Sequence, residues 1–123
     1  MTVHLDFLAL GPAAVLRVNG VLDQGGADCV YQQVEEIVAA GFANLVINLS
    51  GVERMTPDGV MMIEAIRHHM ALCKGNLYLT SPPAGSSEVL QIYGLSSDVD
   101  FFSSEWEALS QVDFPLGPRR VVS

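Results

Sequence analysis

Few side chains in this sequence have the type and spacing that nucleophilic or nucleotide-binding chemistry requires. Ser50 follows an apolar run, but a nucleophile elbow needs Gly-x-Ser-x-Gly, and Asn48 and Val52 occupy the two glycine positions. Gly25-Gly26 is not followed by the pattern of a dinucleotide-binding loop or a P-loop. The sequence therefore predicts no catalytic residue, no bound cofactor and no enzymatic activity.

The histidines and cysteines lie in positions that favour structural roles. His68 and His69 are adjacent, so on a helix they point to different sides, His69 toward the core and His68 toward solvent. His4 alternates with apolar neighbours, which predicts an exposed strand face. Cys29 and Cys73 both fall in predicted helices, and two isolated cysteines are poor evidence for a disulfide framework or a metal site. These residues predict no metal site and a reduced, cytoplasmic setting.

Asp58 is the acidic residue with the most distinctive local sequence. Thr56 before it is a good helix N-cap, Pro57 suits the first helical position, and Gly59 follows. These four residues are expected at an exposed helix N-terminus just beyond a central strand, where N–H groups are unpaired. A phospho-accepting aspartate would also need an acidic pair after the first strand and a lysine after the last, and neither is present. Without those partners, the carboxylate is expected to stabilise the helix by roughly 0.3–1 kcal/mol.

Size and charge limit the classes of function. The chain has 123 residues, of which 50% are hydrophobic, so one folded domain is expected over residues 1–113, followed by an extended tail at 114–123. The net charge of −8 argues against direct nucleic-acid binding. No apolar run is long enough to span a membrane, and the first residues lack the features of a secretory signal.

The hydrophobic periodicity predicts an α/β fold with a mixed sheet of about five strands and about four flanking helices. An N-terminal hairpin is followed by alternating helices and strands, which implies antiparallel pairing first and parallel pairing afterwards. Asn19-Gly20 is interpreted as a turn, Gln24-Gly25-Gly26 as a loop, and Ser50-Gly51 as the end of the central strand. The predicted strands lie at 3–9, 14–18, 45–49, 77–80 and 99–102, and the predicted helices at 27–40, 57–74, 88–93 and after Ser104.

The predicted helix at 57–74 has an unusually wide apolar face of roughly 200° of arc. The face includes Met61, Met62, Leu72 and Cys73. One interpretation is burial against both the sheet and a neighbouring helix. The other is that the part near Met61 and Met62 forms a partner surface, because methionine suits adaptable interfaces. Trp106 and Leu109 are expected to supply the apolar side of the final helix.

Four segments, at 18–23, 45–52, 55–59 and 90–95, match the motifs of one family in the same order. By these segments the chain resembles the STAS domain, the family of bacterial anti-sigma-factor antagonists. Val-Asn-Gly-Val-Leu-Asp at 18–23 resembles the family's strand followed by Gly-Glu-Leu-Asp, with Val21 in place of glutamate and Asp23 matching its aspartate. The other three are Leu-Val-Ile-Asn-Leu-Ser-Gly-Val at 45–52, Met-Thr-Pro-Asp-Gly at 55–59, where the family has Met-Asp-Ser-Ser-Gly, and Leu-Gln-Ile-Tyr-Gly-Leu at 90–95. The resemblance covers about residues 3–112.

The resemblance implies a non-enzymatic regulator that binds an anti-sigma factor, itself a serine kinase. In such antagonists the kinase phosphorylates the second serine of Asp-Ser-Ser-Gly, and the added charge of about −1.5 to −2 breaks the complex. Asp58 stands at that position here, and Thr56 and Pro57 replace the family's Asp and first Ser. A serine kinase cannot phosphorylate Asp58, whose permanent single negative charge partly mimics the phosphorylated state. The switch is therefore expected to be absent unless Thr56 is an alternative acceptor. The implied partner surface comprises Asp23, Thr56, Pro57, Asp58, Gly59, Met61 and Met62.

The resemblance leaves an alternative open, a STAS subunit of a larger assembly. A lipid-transport ABC complex or a stressosome-like scaffold would use the domain structurally, without phosphorylation, which suits Asp58. A third hypothesis, an enzyme or small-molecule binder, has no constellation of residues to support it. The partner's identity and the oligomeric state stay open at this point.

Overall fold

The computed structural model of this chain describes residues 3–80 and 100–112. These residues form one five-stranded sheet in the order β1-β2-β3-β4-β5 and three helices. β1 pairs antiparallel with β2, and the other neighbours pair in parallel, so the predicted hairpin and βα units are confirmed. The strands are β1 (Val3–Leu10), β2 (Ala13–Leu22), β3 (Asn44–Met55), β4 (Asn76–Thr80) and β5 (Asp100–Phe102), and the helices are α1 (Gln24–Ala39), α2 (Pro57–Leu72) and α3 (Glu105–Leu109).

Two sequence predictions fall outside the described residues. They are the helix predicted at 88–93 and the extended tail at 114–123. No helix in the described ranges is both long enough and apolar enough to span a membrane.

The inner strands of the sheet are buried on both faces, as expected for strands with helices on either side. Leu16, Ile47 and Leu79 lie side by side on β2, β3 and β4, fully buried in the core beneath α1 and α2. Val46 and Tyr78 point to the opposite face and pack in a second core. The second core also contains Ala108 of α3 and Val112 just beyond it.

β2 and β3 continue through the two places where the sequence predicted breaks. Asn19-Gly20 is not a turn, because β2 runs on to Leu22 with irregular register on either side of the pair. Ser50-Gly51 does not end β3, which reaches Met55. A Cβ on Gly51 would lie 1.8 Å from Asn19 Oδ1, so this glycine marks a close approach between two strands. Both predictions of a strand end are therefore wrong.

α1 begins at Gln24, so the loop predicted at Gln24-Gly25-Gly26 is also wrong. Asp23 is the N-cap, and its carboxylate accepts a hydrogen bond of 3.0 Å from the backbone N–H of Gly26. A Cβ on Gly26 would lie 2.3 Å from the carbonyl oxygen of Val21. Glycine is needed at position 26 because the first turn of α1 packs closely against the end of β2. It does not break the helix.

The buried stripe of α2 is narrower than the predicted arc. Leu72 is 71% exposed and Cys73 is exposed, which contradicts their predicted burial. His69 is half-buried, with its ring edge-on to Tyr31 at a centroid distance of 6.4 Å, and His68 is exposed as predicted. One side of α2 therefore meets the sheet, and its flank near Met61 is left open. The buried residues of α2 are Gly59, Val60, Met62, Ile63, Ile66 and Met70.

Ser104 caps α3, and the apolar side of this helix is as predicted at Leu109 but not at Trp106. The hydroxyl of Ser104 accepts a hydrogen bond from the backbone N–H of Glu107 at 3.1 Å, and the Glu107 carboxylate accepts one from Ser103 N at 2.9 Å. Trp106 is 82% exposed, so the prediction that it supplies the buried side is wrong. Ala108 is fully buried instead, because a small side chain lets the helix approach the sheet closely.

Candidate partner-binding site

The N-termini of α1 and α2 lie side by side at one edge of the sheet. β2 and β3 are parallel neighbours whose last residues, Leu22 and Met55, are paired in register. Each strand is followed at once by a helix N-cap, Asp23 for α1 and Thr56 for α2. Parallel strands place their carboxyl ends at the same edge, so the two helix starts form a common surface.

Thr56 links the start of α2 to the end of β2 by hydrogen bonds. Its backbone N–H and its hydroxyl both donate to the carbonyl oxygen of Leu22, each at 3.1 Å. The side chain makes no capping hydrogen bond to α2, so the predicted hydroxyl cap is wrong, although Thr56 does occupy the N-cap position. The hydroxyl points back to the end of β2 because Leu22 O offers an acceptor there.

Gly59 allows the first turn of α2 to lie directly on the end of β2. A Cβ at this position would lie 2.8 Å from Leu22 O and 2.9 Å from Met55 Cγ. Gly59 is itself buried. Its role in the predicted partner surface is therefore to set the position of the neighbouring residues.

Asp58 and Pro57 are exposed at the start of α2, in agreement with the expected exposed helix N-terminus. Asp58 is the acidic residue of the first turn, where the helix dipole favours negative charge. Asp23 differs from it, because that side chain is half-buried and its carboxylate binds the N–H of Gly26.

The two methionines of the predicted surface have different environments. Met61 is 59% exposed, whereas Met62 is only 7% exposed and belongs to the core beneath the helices. Met62 contributes little contact area of its own, and Met61 is the exposed apolar anchor of this region.

A groove of about 530 Å³ runs between α1 and α2 beside Asp58 and Met61. None of its five α1 residues, which include Asp28, Tyr31 and Gln32, was among the predicted site residues. The helical periodicity does place Asp28 and Gln32 on the polar side of α1, but periodicity alone does not reveal which helix that side adjoins. The full lining is Gln24, Ala27, Asp28, Tyr31, Gln32, Asp58, Met61, Met62 and Ala65.

A two-point ion pair between Arg17 and Glu105 lies on the opposite face of the sheet. Glu105 of α3 accepts hydrogen bonds from Arg17 and from Asn48. The hydrogen bond from Arg17 lowers the pKa of Glu105 below its ordinary value, against the opposing effect of burial, and Asn48 and the Arg17 charge lower it further. The same hydrogen bond raises the pKa of Arg17. This network holds α3 against β2 and β3.

The model of the STAS domain matches residues 5–108. The chain belongs to the STAS domain family. The match spans both helix starts, the groove between them and most of α3. Among the described residues, no group of three or more His, Cys, Asp or Glu side chains is arranged to hold a metal ion.

Solved structures of anti-sigma-factor antagonists have the same fold as this STAS domain. One from Mycobacterium paratuberculosis matches with a TM-score of 0.80 and 21% identity, over 90% of this chain and 94% of that one. SpoIIAA of Bacillus in its phosphorylated form matches with a TM-score of 0.70 and 20% identity, over 90% and 99%. A serine-to-glutamate variant of RsbS from Moorella thermoacetica matches with a TM-score of 0.76 and 16% identity, over 87% and 92%. No curated protein matches the chain.

Proposed function

We propose that this STAS domain is a non-enzymatic regulator that binds an anti-sigma factor of the serine-kinase type. The proposed contact surface is the N-terminus of α2 together with the adjoining groove. The observation that carries the proposal is the exposed carboxylate of Asp58 in the first turn of α2. The family resemblance aligns this residue with the serine that the partner kinase phosphorylates.

The properties of the neighbouring side chains support a site whose charge is fixed. Asp58 carries one permanent negative charge, and a phosphoserine carries about −1.5 to −2. The hydroxyl of Thr56 donates to Leu22 O and is half-buried, so Thr56 is poorly presented as an alternative phosphate acceptor. The partner's kinase activity is therefore not expected to switch the binding of this regulator.

Two of the relatives are described with added negative charge. SpoIIAA is described in a phosphorylated form, and the RsbS variant has a glutamate in place of a serine. Both descriptions concern negative charge added to an anti-sigma-antagonist fold. In this chain the negative charge at Asp58 is encoded in the sequence.

Titration calorimetry with the serine-kinase-type anti-sigma factor encoded nearest to this gene tests the proposal. The wild-type domain is expected to bind, and Asp58→Ser is expected to change the affinity because it removes the charge from the contact surface. Asp6→Ser, which removes an exposed carboxylate from β1, serves as the control and is expected to bind like the wild type. No binding by the wild type, or equal affinities for all three proteins, contradicts the proposal.

A second candidate function is that of a subunit in a larger assembly, such as a lipid-transport ABC complex or a stressosome-like scaffold. The exposed Trp106, at 82%, and Leu8, at 40%, favour this function, because they offer a second apolar contact face. Leu8 pairs with Val15, which belongs to the core on the side of the sheet away from α2. Purification from the native host distinguishes the two functions. An assembly subunit is expected to copurify with its complex, and Trp106→Ser is expected to abolish this copurification. Binding to a kinase-type anti-sigma factor is expected to survive Trp106→Ser.

A further inference from the structure

We propose that β1 pairs with β1 of a second copy of this chain, so that two sheets join edge to edge. The two strands run antiparallel, related by a two-fold axis at Leu5. No residue of β1 lines the groove between α1 and α2 or belongs to the start of α2. The proposal is therefore independent of the proposed function, and monomer and dimer are expected to bind the anti-sigma factor alike.

β1 is the longer of the two edge strands in the described part of the sheet. It has eight residues, whereas β5 at the other edge has three. Within the described residues only β2 pairs with β1, so the outer edge of β1 presents unpaired backbone N–H and C=O groups. Sheet edges commonly avoid pairing through short strands, prolines, lysines or bulges. β1 has no proline or lysine, and its register with β2 is continuous.

One face of β1 has an apolar row that is partly open to solvent. Val3, Leu5 and Phe7 share this face because side chains alternate along a strand. Val3 is buried and Leu5 packs against the core beneath α1 and α2. Phe7 is 47% exposed, with its ring edge-on to Phe42 at a centroid distance of 5.9 Å. A strand added at this edge would place a side chain beside Phe7 and bury apolar surface.

The side chains of β1 complement those of a second β1 in the register centred on Leu5. On the apolar face, Leu5 lies opposite Leu5 of the second copy, and Phe7 lies opposite Val3, a favourable aromatic–β-branched pair. On the other face, His4 of each copy lies opposite Asp6 of the other. An imidazole suits a carboxylate as an N–H donor and, when protonated, as a cation. Both side chains are available, because His4 is 76% and Asp6 57% exposed.

The neighbouring registers match less well. A two-fold axis at Asp6 places the two Asp6 carboxylates opposite each other, and like charges at that distance destabilise a strand pair. An axis at Phe7 places Asp6 opposite Leu8, which offers the carboxylate no hydrogen bond. Of the three registers, the one centred on Leu5 pairs polar with polar and apolar with apolar residues throughout.

Sedimentation equilibrium of the full chain at a series of concentrations tests the proposal, and the wild type is expected to show a monomer–dimer equilibrium. His4→Lys places a cation opposite Asp6 at two points of the dimer and is expected to lower the dissociation constant about fivefold. His4→Glu places like charges there and is expected to raise it about fivefold. Position 4 is exposed, so both variants are expected to fold.

Ala71→Lys and Ala71→Glu are the matched controls for net charge. They introduce the same side chains at an exposed position of α2, far from β1 in the sheet order. Both residues are good helix formers. Neither control is expected to change the dissociation constant.

Disulfide cross-linking tests the register. In a background with Cys29→Ala and Cys73→Ser, Leu5→Cys is expected to give a cross-linked dimer on mild oxidation, because directly paired Cα atoms about 5.5 Å apart suit a disulfide. Leu8→Cys is the control. The two residues at position 8 would lie roughly 20 Å apart in this register, too far for a disulfide.

The outcomes decide the proposal. Opposite shifts for the two His4 variants, unchanged Ala71 controls and a cross-link at Leu5→Cys support it. A wild type that is monomeric at every concentration overturns it, and so does a dimer whose dissociation constant responds to neither His4 variant. A cross-link at Leu8→Cys without one at Leu5→Cys also overturns it. None of these results changes the expectation for binding of the anti-sigma factor, which calorimetry measures separately.

Discussion

Arg17 on β2 and Glu105 at the start of α3 form a two-point ion pair between residues 88 positions apart in the sequence. Nε and Nη2 of Arg17 donate to the two carboxylate oxygens at 2.7 and 2.9 Å, and Asn48 Nδ2 donates to the same carboxylate at 2.6 Å. α3 has only five residues, too few for a helix to be stable by itself. The ion pair therefore helps to hold α3 on the sheet.

The contribution of Glu105 to stability is expected to depend on pH. Its pKa in the folded protein is lowered from the ordinary value of 4.5, so folding favours the charged carboxylate. The stabilisation is fully present above pH 4.5 and is lost as the pH falls through the lower folded pKa. Urea unfolding at a series of pH values is expected to show that Glu105→Gln is less stable than the wild type at neutral pH, with a difference that shrinks in acid.

Glu53→Gln is the control for this pH series, because Glu53 is exposed on β3 and none of the ion pairs described above includes it. It is expected to have the stability of the wild type at neutral pH. The role of the ion pair is contradicted if the difference in unfolding free energy between Glu105→Gln and the wild type stays constant, or grows, as the pH falls below 4.5.

Gly59 and Gly25 are expected to respond oppositely to replacement by alanine. Gly59→Ala places a Cβ 2.8 Å from Leu22 O, and the resulting displacement is expected to cost about 1–3 kcal/mol in the free energy of unfolding. A Cβ at Gly25 would lie an ordinary 3.7 Å from Asp23 Oδ1, and Gly25→Ala is expected to stabilise the protein by about 0.4–1 kcal/mol. Chemical denaturation measures both, and an equally stable Gly59→Ala variant shows that α2 is not held so closely to β2.

Asp23 is expected to act as a helix cap. Asp23→Ala removes the acceptor for Gly26 N–H and is expected to lower the free energy of unfolding by about 1 kcal/mol. Asp23→Asn keeps an acceptor oxygen and is expected to retain both the stability and the partner affinity of the wild type. A large loss of affinity in a stable Asp23→Asn variant would show that the carboxylate contacts the partner.

The regular parts of the fold were predictable because their hydrophobic periods are clear. The alternation along β1 and the helical period of α1 gave the right elements. Glycine was the main source of error. At Gly20, Gly26 and Gly51 the sequence shows a flexible residue, but the structure uses it at an irregular strand register or at a close contact with a distant segment. Such contacts depend on tertiary neighbours, which a local pattern does not contain.

The candidate site was predictable only in part for a related reason. The exposed helix start at Asp58 followed from local sequence preferences, and Met61 is exposed as the partner-surface interpretation requires. The sequence predicted that the Thr56 hydroxyl caps α2. In the structure it donates to Leu22 O instead, an acceptor on a different strand that the local sequence does not reveal. The contribution of α1 to the groove could not be derived, because the sequence gives the polar side of each helix but not how the two helices are placed together.

The central claim is that aspartate at position 58, which offers no hydroxyl to phosphorylate, makes partner binding independent of the partner's kinase activity. The most direct measurement is to form the complex with the anti-sigma factor, add ATP, and follow phosphate incorporation by mass spectrometry together with dissociation of the complex. The account predicts that the wild type acquires no phosphate at Asp58 or Thr56 and stays bound, while Asp58→Ser is phosphorylated at the new serine and is released. ATP-dependent phosphorylation and release of the wild type would contradict it.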